Sequence, residues 1–411
     1  MSAPLPLDLT RIRAEFPSFR QANLKDMAFF ENAGGSYTCA PVLNRMKQYF
    51  WTTNVQPYGF YPASREAGQA IDLAHKRMAQ ALNVPIDWVH FGPSTSANTY
   101  TLGHAFEGWM KPGDAIVVTN QDHEGNSGAW RKLGAKGVEV REWKIDKETG
   151  HLPLEDLDKL LDSKVRAICF PHVSNIVGEI NPVHEIAQKA RSFGAVTVVD
   201  GVAFTPHGLP DVLALGCDVY LFSLYKVYGP HGGVMAIRPS LASELPNQGH
   251  FFNELFPRRR LTPAGPNNPM IASSTGVVDY LETVAMIAGD AVEGENAFRK
   301  AHNAMRAQEK ILLKPLMDYL KDRKKLRLIG TPDVELRAPT VSIALSEQGI
   351  TAAERLSRHG IMAQGGHFYS YRTMEALGIN PGIGVLRVSL THYTSPEDVT
   401  RLITALDVEL T

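Results

Sequence analysis

The chain has 411 residues, 44% of them hydrophobic and 21% charged, with 42 Lys plus Arg against 43 Asp plus Glu and a formal net charge of -1. That is enough chain for two packed domains, and the charge balance excludes a broad nucleic-acid surface, so an anionic ligand has to be gripped locally. Three cysteines without metal or disulfide spacing and the absence of a long apolar run predict a soluble cytoplasmic protein with no metal site and no membrane partner.

In chain order, a helical N-terminal segment, "LDLTRIRAEF", leads into "FFENAGGS". From about residue 85 to 240, short β-branched runs alternate with helical patterns, which predicts βαβ units and a mainly parallel central sheet flanked by helices. The expected strands are "WVHFG", "AIVVTN", "VRAICF", "AVTVVD", "DVYLFS" and "GGVMAI"; between them, "PVHEIAQKARSFG" has apolar residues at helical spacing and ends in glycine. The Pro-, Asn- and Arg-rich stretch "NQGHFFNELFPRRRLTPAGPNNP" follows. A long helix, "GENAFRKAHNAMRAQEKILLKPLMDYL", then precedes the strand-like "TVSIAL" and "VLRVSL". The expected division is an N-terminal segment, 1–25, packing with the smaller domain, a large domain, 26–280, and a smaller α+β C-terminal domain, 281–411.

Ligand sites on open α/β sheets lie beyond the carboxyl ends of the strands. There the sequence places Thr95 and Ser96 at a helix start, His123 on a loop, Asn175 in a turn, Asp200 at the end of an apolar run, and Lys226 between two tyrosines in "LFSLYKVYGPHGGV". Each has an ordinary alternative: a helix cap, a structural histidine, a turn asparagine, a snorkelling lysine. Together they offer an amine for a Schiff base, a carboxylate for a ring nitrogen, an imidazole to stack on a ring and hydroxyls for an anion. That is the set pyridoxal 5'-phosphate requires. No G-x-G-x-x-G after an early strand, no Walker lysine motif and no H-E-x-x-H competes with it.

"FFENAGG", "HVSN" followed by "NPV", "VVDG", "FSLYK" followed by "GPHGG", and "VLRVSLTHYTSPEDV" occur in that order. Over this span, nearly the whole chain, the sequence resembles the class V aminotransferase and cysteine desulfurase group of fold-type I pyridoxal phosphate enzymes. The resemblance implies Lys226 as the Schiff-base lysine, Asp200 as the partner of the pyridine nitrogen, His123 stacked on the ring and Asn175 at the ring hydroxyl. Thr95, Ser96 and Ser223 would hold the phosphate, with Tyr225 in place of a frequent histidine. Arg387 would grip the carboxylate of an amino-acid substrate, Gly34 and Gly35 would let the backbone approach that carboxylate, and the protein would be a homodimer.

Some positions depart from the family pattern. Ala203 replaces a ring-hydroxyl contact, and Pro266 replaces a threonine that reaches across the dimer, leaving Asn267 or Asn268 for that role. The triplet Arg258, Arg259 and Arg260 reads as a solvated loop. Where desulfurases carry a sulfur-accepting cysteine, this chain has Gly366, His367, Phe368 and Tyr369. The expected activity is therefore transamination, with β-elimination as the alternative reaction; a non-catalytic scaffold is disfavoured by the intact Lys226 and Asp200. Specificity is expected from Tyr58, Arg65, His367, Tyr369, Tyr371 and Arg372 at the pocket mouth.

Overall fold

The computed structural model describes residues 5–289, 296–321, 323 and 325–410. Its larger sheet has seven strands, running across the sheet as Val89–Gly92, Gly233–Ile237, Val219–Ser223, Val196–Asp200, Val165–Pro171, Ala115–Thr119 and Glu139–Trp143. All pair in parallel except Gly233–Ile237, which is antiparallel to both neighbours. The central strands are buried on both faces because helices cover both, so their sequences are continuous apolar runs rather than alternating ones. Glu139–Trp143 escapes the sequence reading for the opposite reason: it is an edge strand whose polar residues face solvent.

Local chemistry sets the helix boundaries near the site. Ser94 caps the helix Thr95–Trp109 by accepting from the Ala97 N–H at 3.1 Å. The helix Val183–Ser192 ends in the expected glycine, Gly194, at φ 74°. The predicted long helix runs Ala297–Lys321 and tolerates Pro315; its expected first residues, Gly294 and Glu295, lie outside the described residues. Among the described residues no helix is long and apolar enough to cross a membrane.

A second, antiparallel sheet orders Gln364–Gly366, Val385–Ser389, Thr340–Ala344 and Arg327–Leu328, and it carries Arg387 on its second strand. Two sets of contacts tie the N-terminal stretch to the rest of the chain. Ala28–Phe29 pairs in parallel with Ile361–Met362. The N-terminal segment bridges both units: Phe16 sets its ring edge against Tyr228, Tyr280 and Tyr393, while Arg13 donates to the Tyr393 carbonyl and pairs with Asp398.

The fold also buries histidines. His172 stacks on Phe204 with ring centroids 3.7 Å apart, and His392 lies between the hydroxyls of Tyr228 and Tyr280. Burial lowers His172 and His123 to about 3, and His90, His302 and His392 to about 4. An imidazole whose folded pKa lies below its unfolded value of about 6.5 contributes stability that is complete above that value and is lost as pH falls toward the folded one. Burial also raises three carboxyls, Asp122 well above the usual range, Asp200 to about 6 and Glu179 to about 7, which works in the opposite sense, but these are three groups against five. The Tm is therefore expected to fall steeply between pH 6.5 and 5, as thermal melts across that range would show. A flat Tm would contradict the neutral, buried state of these rings.

Candidate active site

The strand Val219–Ser223 delivers the chain into a single turn, Leu224–Lys226, that ends on the lysine. The turn is held from below: Ser36 donates through its N–H and its hydroxyl to the Tyr225 carbonyl at 3.0 and 3.1 Å, and the Tyr228 N–H donates to Ser36 Oγ at 2.8 Å. Tyr228 takes a left-handed φ of 60°, a strained conformation for a bulky residue, to complete this turn. Lys226 is left buried, only 8% exposed, in the wall of a cavity at the end of that strand. Burial first, and then the Arg387 charge, lowers the ammonium to about 8, against the opposing pull of Asp200 and Glu31.

The neighbouring strand ends supply the rest of the cavity wall. Thr95, Ser96, His123, Asn175, Asp200, Ser223 and Tyr225 all line the cavity that holds Lys226. Asp200 accepts one hydrogen bond, from the Val202 N–H at 2.8 Å, and burial raises its carboxyl to about 6. Lys226 opposes that rise, but among the described residues no ion-pair contact reaches the carboxyl. His123 accepts from the Gly125 N–H at Nδ1, 2.9 Å, so its proton sits on Nε2; burial, with Lys226 and Arg387 nearby, keeps the ring neutral. Gly125 has to be bare here: a Cβ would stand 2.6 Å from Ser96 Oγ and 2.9 Å from His123 Nδ1.

Thr95 Oγ1 and Ser223 Oγ meet at 2.7 Å beside the N-terminus of the helix Thr95–Trp109. Gly233 lets its strand come close to that terminus, since a Cβ would sit 2.7 Å from the Thr95 nitrogen. A helix N-terminus with two hydroxyls is an anion cradle, and a buried carboxyl without a cation suits a protonated ring nitrogen. The residues present thus fit pyridoxal 5'-phosphate.

Arg387 reaches the same region from the smaller sheet. It is 4% exposed, its guanidinium lies 3.7 Å from the Phe368 ring centroid, and it donates to the Asn175 carbonyl at 3.3 Å and to Glu31 at 3.1 Å. Glu31 was overlooked in the sequence although it stands inside "FFENAGG". Gly34 and Gly35 flank it, and the space a Gly34 side chain would need is filled by the Glu31 carboxylate, 2.0 Å from the Cβ position.

Other expected positions fall differently. The Asn175 amide ties down the loop over the cavity, donating to the Phe368 carbonyl at 3.1 Å and accepting from Ser370 Oγ at 2.8 Å, which leaves one amide hydrogen for a ligand. That loop holds Phe368 and Tyr369 at φ 48° and 58°, with the Glu124 N–H donating to the Tyr369 carbonyl. His367, Tyr369, Tyr371 and Arg372 line a separate pocket with Glu124, outside the Lys226 cavity, although the Tyr369 ring lies 5.2 Å from that of His123. Tyr58 lines another cleft with Arg258, Arg259, Pro266 and Asn268, and Arg65 is turned to the Phe60 carbonyl. Asp122, also overlooked, lies in the cavity wall behind His123, with its carboxyl raised well above the usual range by burial and by Asp200.

A buried lysine at a strand end, faced by a buried carboxylate, a neutral imidazole and an anion cradle, defines a lysine-centred α/β enzyme. Comparison with known proteins leads to the same class. The model of the family described as aminotransferase class-V matches residues 28–402. The aminotransferase-like protein FGM3 of Gibberella zeae is 34% identical over 98% of this chain and 98% of that protein. A cysteine desulfurase of Serratia proteamaculans is 25% identical, with 97% of each chain covered. Among solved structures, a cysteine desulfurase from Thermococcus onnurineus NA1 superposes with a TM-score of 0.86 at 23% identity, covering 100% of this chain and 99% of that one. The Escherichia coli cysteine desulfurase CsdA gives 0.81 at 20%, with 98% of each covered. The chain belongs to the aminotransferase class-V family, with the fold of its desulfurase-like members, and is a pyridoxal phosphate-dependent enzyme.

Proposed function

We propose that the protein is an amino-acid aminotransferase that works through Lys226. The observation that carries this reading is the segment beside the cavity, where Phe368 packs on Arg387 and Tyr369 faces His123. A phenyl ring or a phenol cannot accept sulfane sulfur. The three cysteines are buried in apolar surroundings, none lines the cavity, and burial pushes their thiols up, Cys39 to about 12. Sulfur transfer of the desulfurase kind has no acceptor on this chain, whereas amino transfer needs none.

In this reading Thr95, Ser96, Ser223 and Tyr225 hold the cofactor phosphate, His123 lies against the ring, Asp200 pairs with the ring nitrogen and Asn175 reaches the ring hydroxyl. When bound, pyridoxal phosphate supplies the electron sink for the pair released at the substrate Cα. Arg387 orients the substrate by its carboxylate. Lys226, with its pKa lowered to about 8, has an appreciable neutral fraction near physiological pH. Its Nζ would take the proton from Cα and hold it for return on the cofactor side; release of the keto acid then requires a water molecule to cleave the bond between Cα and nitrogen.

The test is a single-turnover mixture of holoenzyme and amino acid without a keto acid, followed by keto acid. One equivalent of keto product, with the cofactor converted to its amine form and restored by added keto acid, is the expected result. Steady release of pyruvate and ammonia, or a protein-bound persulfide, would overturn it in favour of a lyase or a desulfurase.

We also propose that the working unit is a homodimer. Phe60, Phe251 and Leu255 are 98%, 85% and 89% exposed, close in sequence to Tyr58 and Phe252 of one cleft, and large apolar side chains so exposed suit a surface that a second copy covers. Sedimentation at micromolar concentration should give twice the mass of the chain; a monomer would refute the proposal.

A further inference from the structure

We propose that Glu31 is a resident counter-ion that occupies the Arg387 seat until a ligand carboxylate exchanges with it, so that Glu31 sets how tightly the site takes carboxylates. The inference rests on the reading of Arg387 as the substrate-carboxylate seat and deepens it. A guanidinium as buried as that of Arg387 requires a compensating charge. In this structure Glu31 Oε1 provides it at 3.1 Å, while the Asn175 carbonyl and the Phe368 ring supply only dipole and quadrupole.

The two partners are not equally held. The Arg387 side chain is 4% exposed and the Glu31 side chain 28%, so the glutamate is the partner that can leave for water. Its carboxylate fills the space beside the bare Gly34, where a Cβ would stand 2.0 and 2.3 Å from its two oxygens. Sequence reasoning assigned that space to the approach of a substrate carboxylate. A second carboxylate arriving at Arg387 with Glu31 still in place would meet a like charge at contact distance, and the two repel. Binding therefore exchanges one carboxylate for another, and the ligand gains only the difference between the two pairings.

The consequence is a readable one. Glu31→Gln keeps the side-chain length and can still accept from Arg387, but leaves the guanidinium charge uncompensated for an incoming anion. Propionate, titrated calorimetrically into holoenzyme, should then bind about tenfold more tightly, the order of one charge interaction largely screened by water. Glu31→Asp keeps the charge but is one methylene shorter and should fall between the two. Propionamide, without charge, should bind all three forms alike, and Arg387→Lys should abolish the gain when combined with Glu31→Gln. Unchanged or weaker propionate binding by Glu31→Gln, while Arg387→Lys weakens binding in the parent protein, would overturn the role of Glu31 and leave the carboxylate seat standing. Propionate binding indifferent to Arg387→Lys in both backgrounds would instead overturn the seat itself, and the exchange with it.

Discussion

Lys226→Ala is expected to lose turnover by at least the ~10⁴-fold that a positioned general base supplies, because the same nitrogen also carries the cofactor. The fold should survive and the apoprotein should be no less stable than the parent. Burial holds the Lys226 ammonium at about 8 against an ordinary 10.5, so below pH 8 the folded state bears a buried charge that the unfolded chain carries in water. That handicap amounts to about 3 kcal/mol near neutrality, and alanine removes it, offset in part by a cavity. Activity gone with the apo Tm preserved or raised is the signature of a group kept for chemistry. Thermal melts and turnover measured on the same preparation decide it: a variant within tenfold of parent activity, or one that fails to fold, would contradict the assignment.

Asp200→Asn is expected to retain the cofactor and to slow turnover by about 10²–10³-fold, the range for loss of one preorganised electrostatic contact. The amide has the shape of the acid and can keep the 2.8 Å bond from the Val202 N–H, but it provides no charge opposite a protonated ring nitrogen. The Asp200 carboxyl is raised to about 6 by burial, so in the empty site it becomes protonated as pH falls through that value. Pairing with a cation requires the ionised form. Cofactor affinity should therefore be complete above pH 6 and weaken as pH falls below it, and Asp200→Asn should lack this dependence. Equilibrium binding of cofactor at pH 5 and 7.5 to both forms measures this; equal pH dependence in the two would place the charge partner elsewhere.

How much of the site was legible in the sequence follows from where each residue stands. The strand-end residues Thr95, Asn175, Asp200 and Lys226 could be found because fully buried strands are long apolar runs, and a polar residue that terminates one is conspicuous. The cavity brings them together because parallel strands place their carboxyl ends along one edge. Glu31 was not legible as a partner of Arg387, since the two are 356 positions apart and meet only through the packing of the smaller sheet against the larger unit. The second role of Asn175 was hidden for a similar reason: its amide is engaged by Phe368 and Ser370, which arrive from the other unit in a left-handed turn that carries no glycine at those positions. For the expected mouth residues Tyr58 and Arg65, spacing along a single chain does not show which exposed side chains face a cavity, and here Tyr58 lines a cleft with Arg258 while Arg65 donates to the Phe60 carbonyl.

The central claim is that this chain carries its cofactor on the one lysine that a buried strand delivers to the anion cradle. Reduction of the holoenzyme with borohydride followed by peptide mapping tests it most directly. The account predicts that the cofactor mass is found on the peptide containing Lys226 and nowhere else, and that Lys226→Ala yields no labelled peptide under the same conditions. Label on a different lysine, or stoichiometric label in Lys226→Ala, would contradict it.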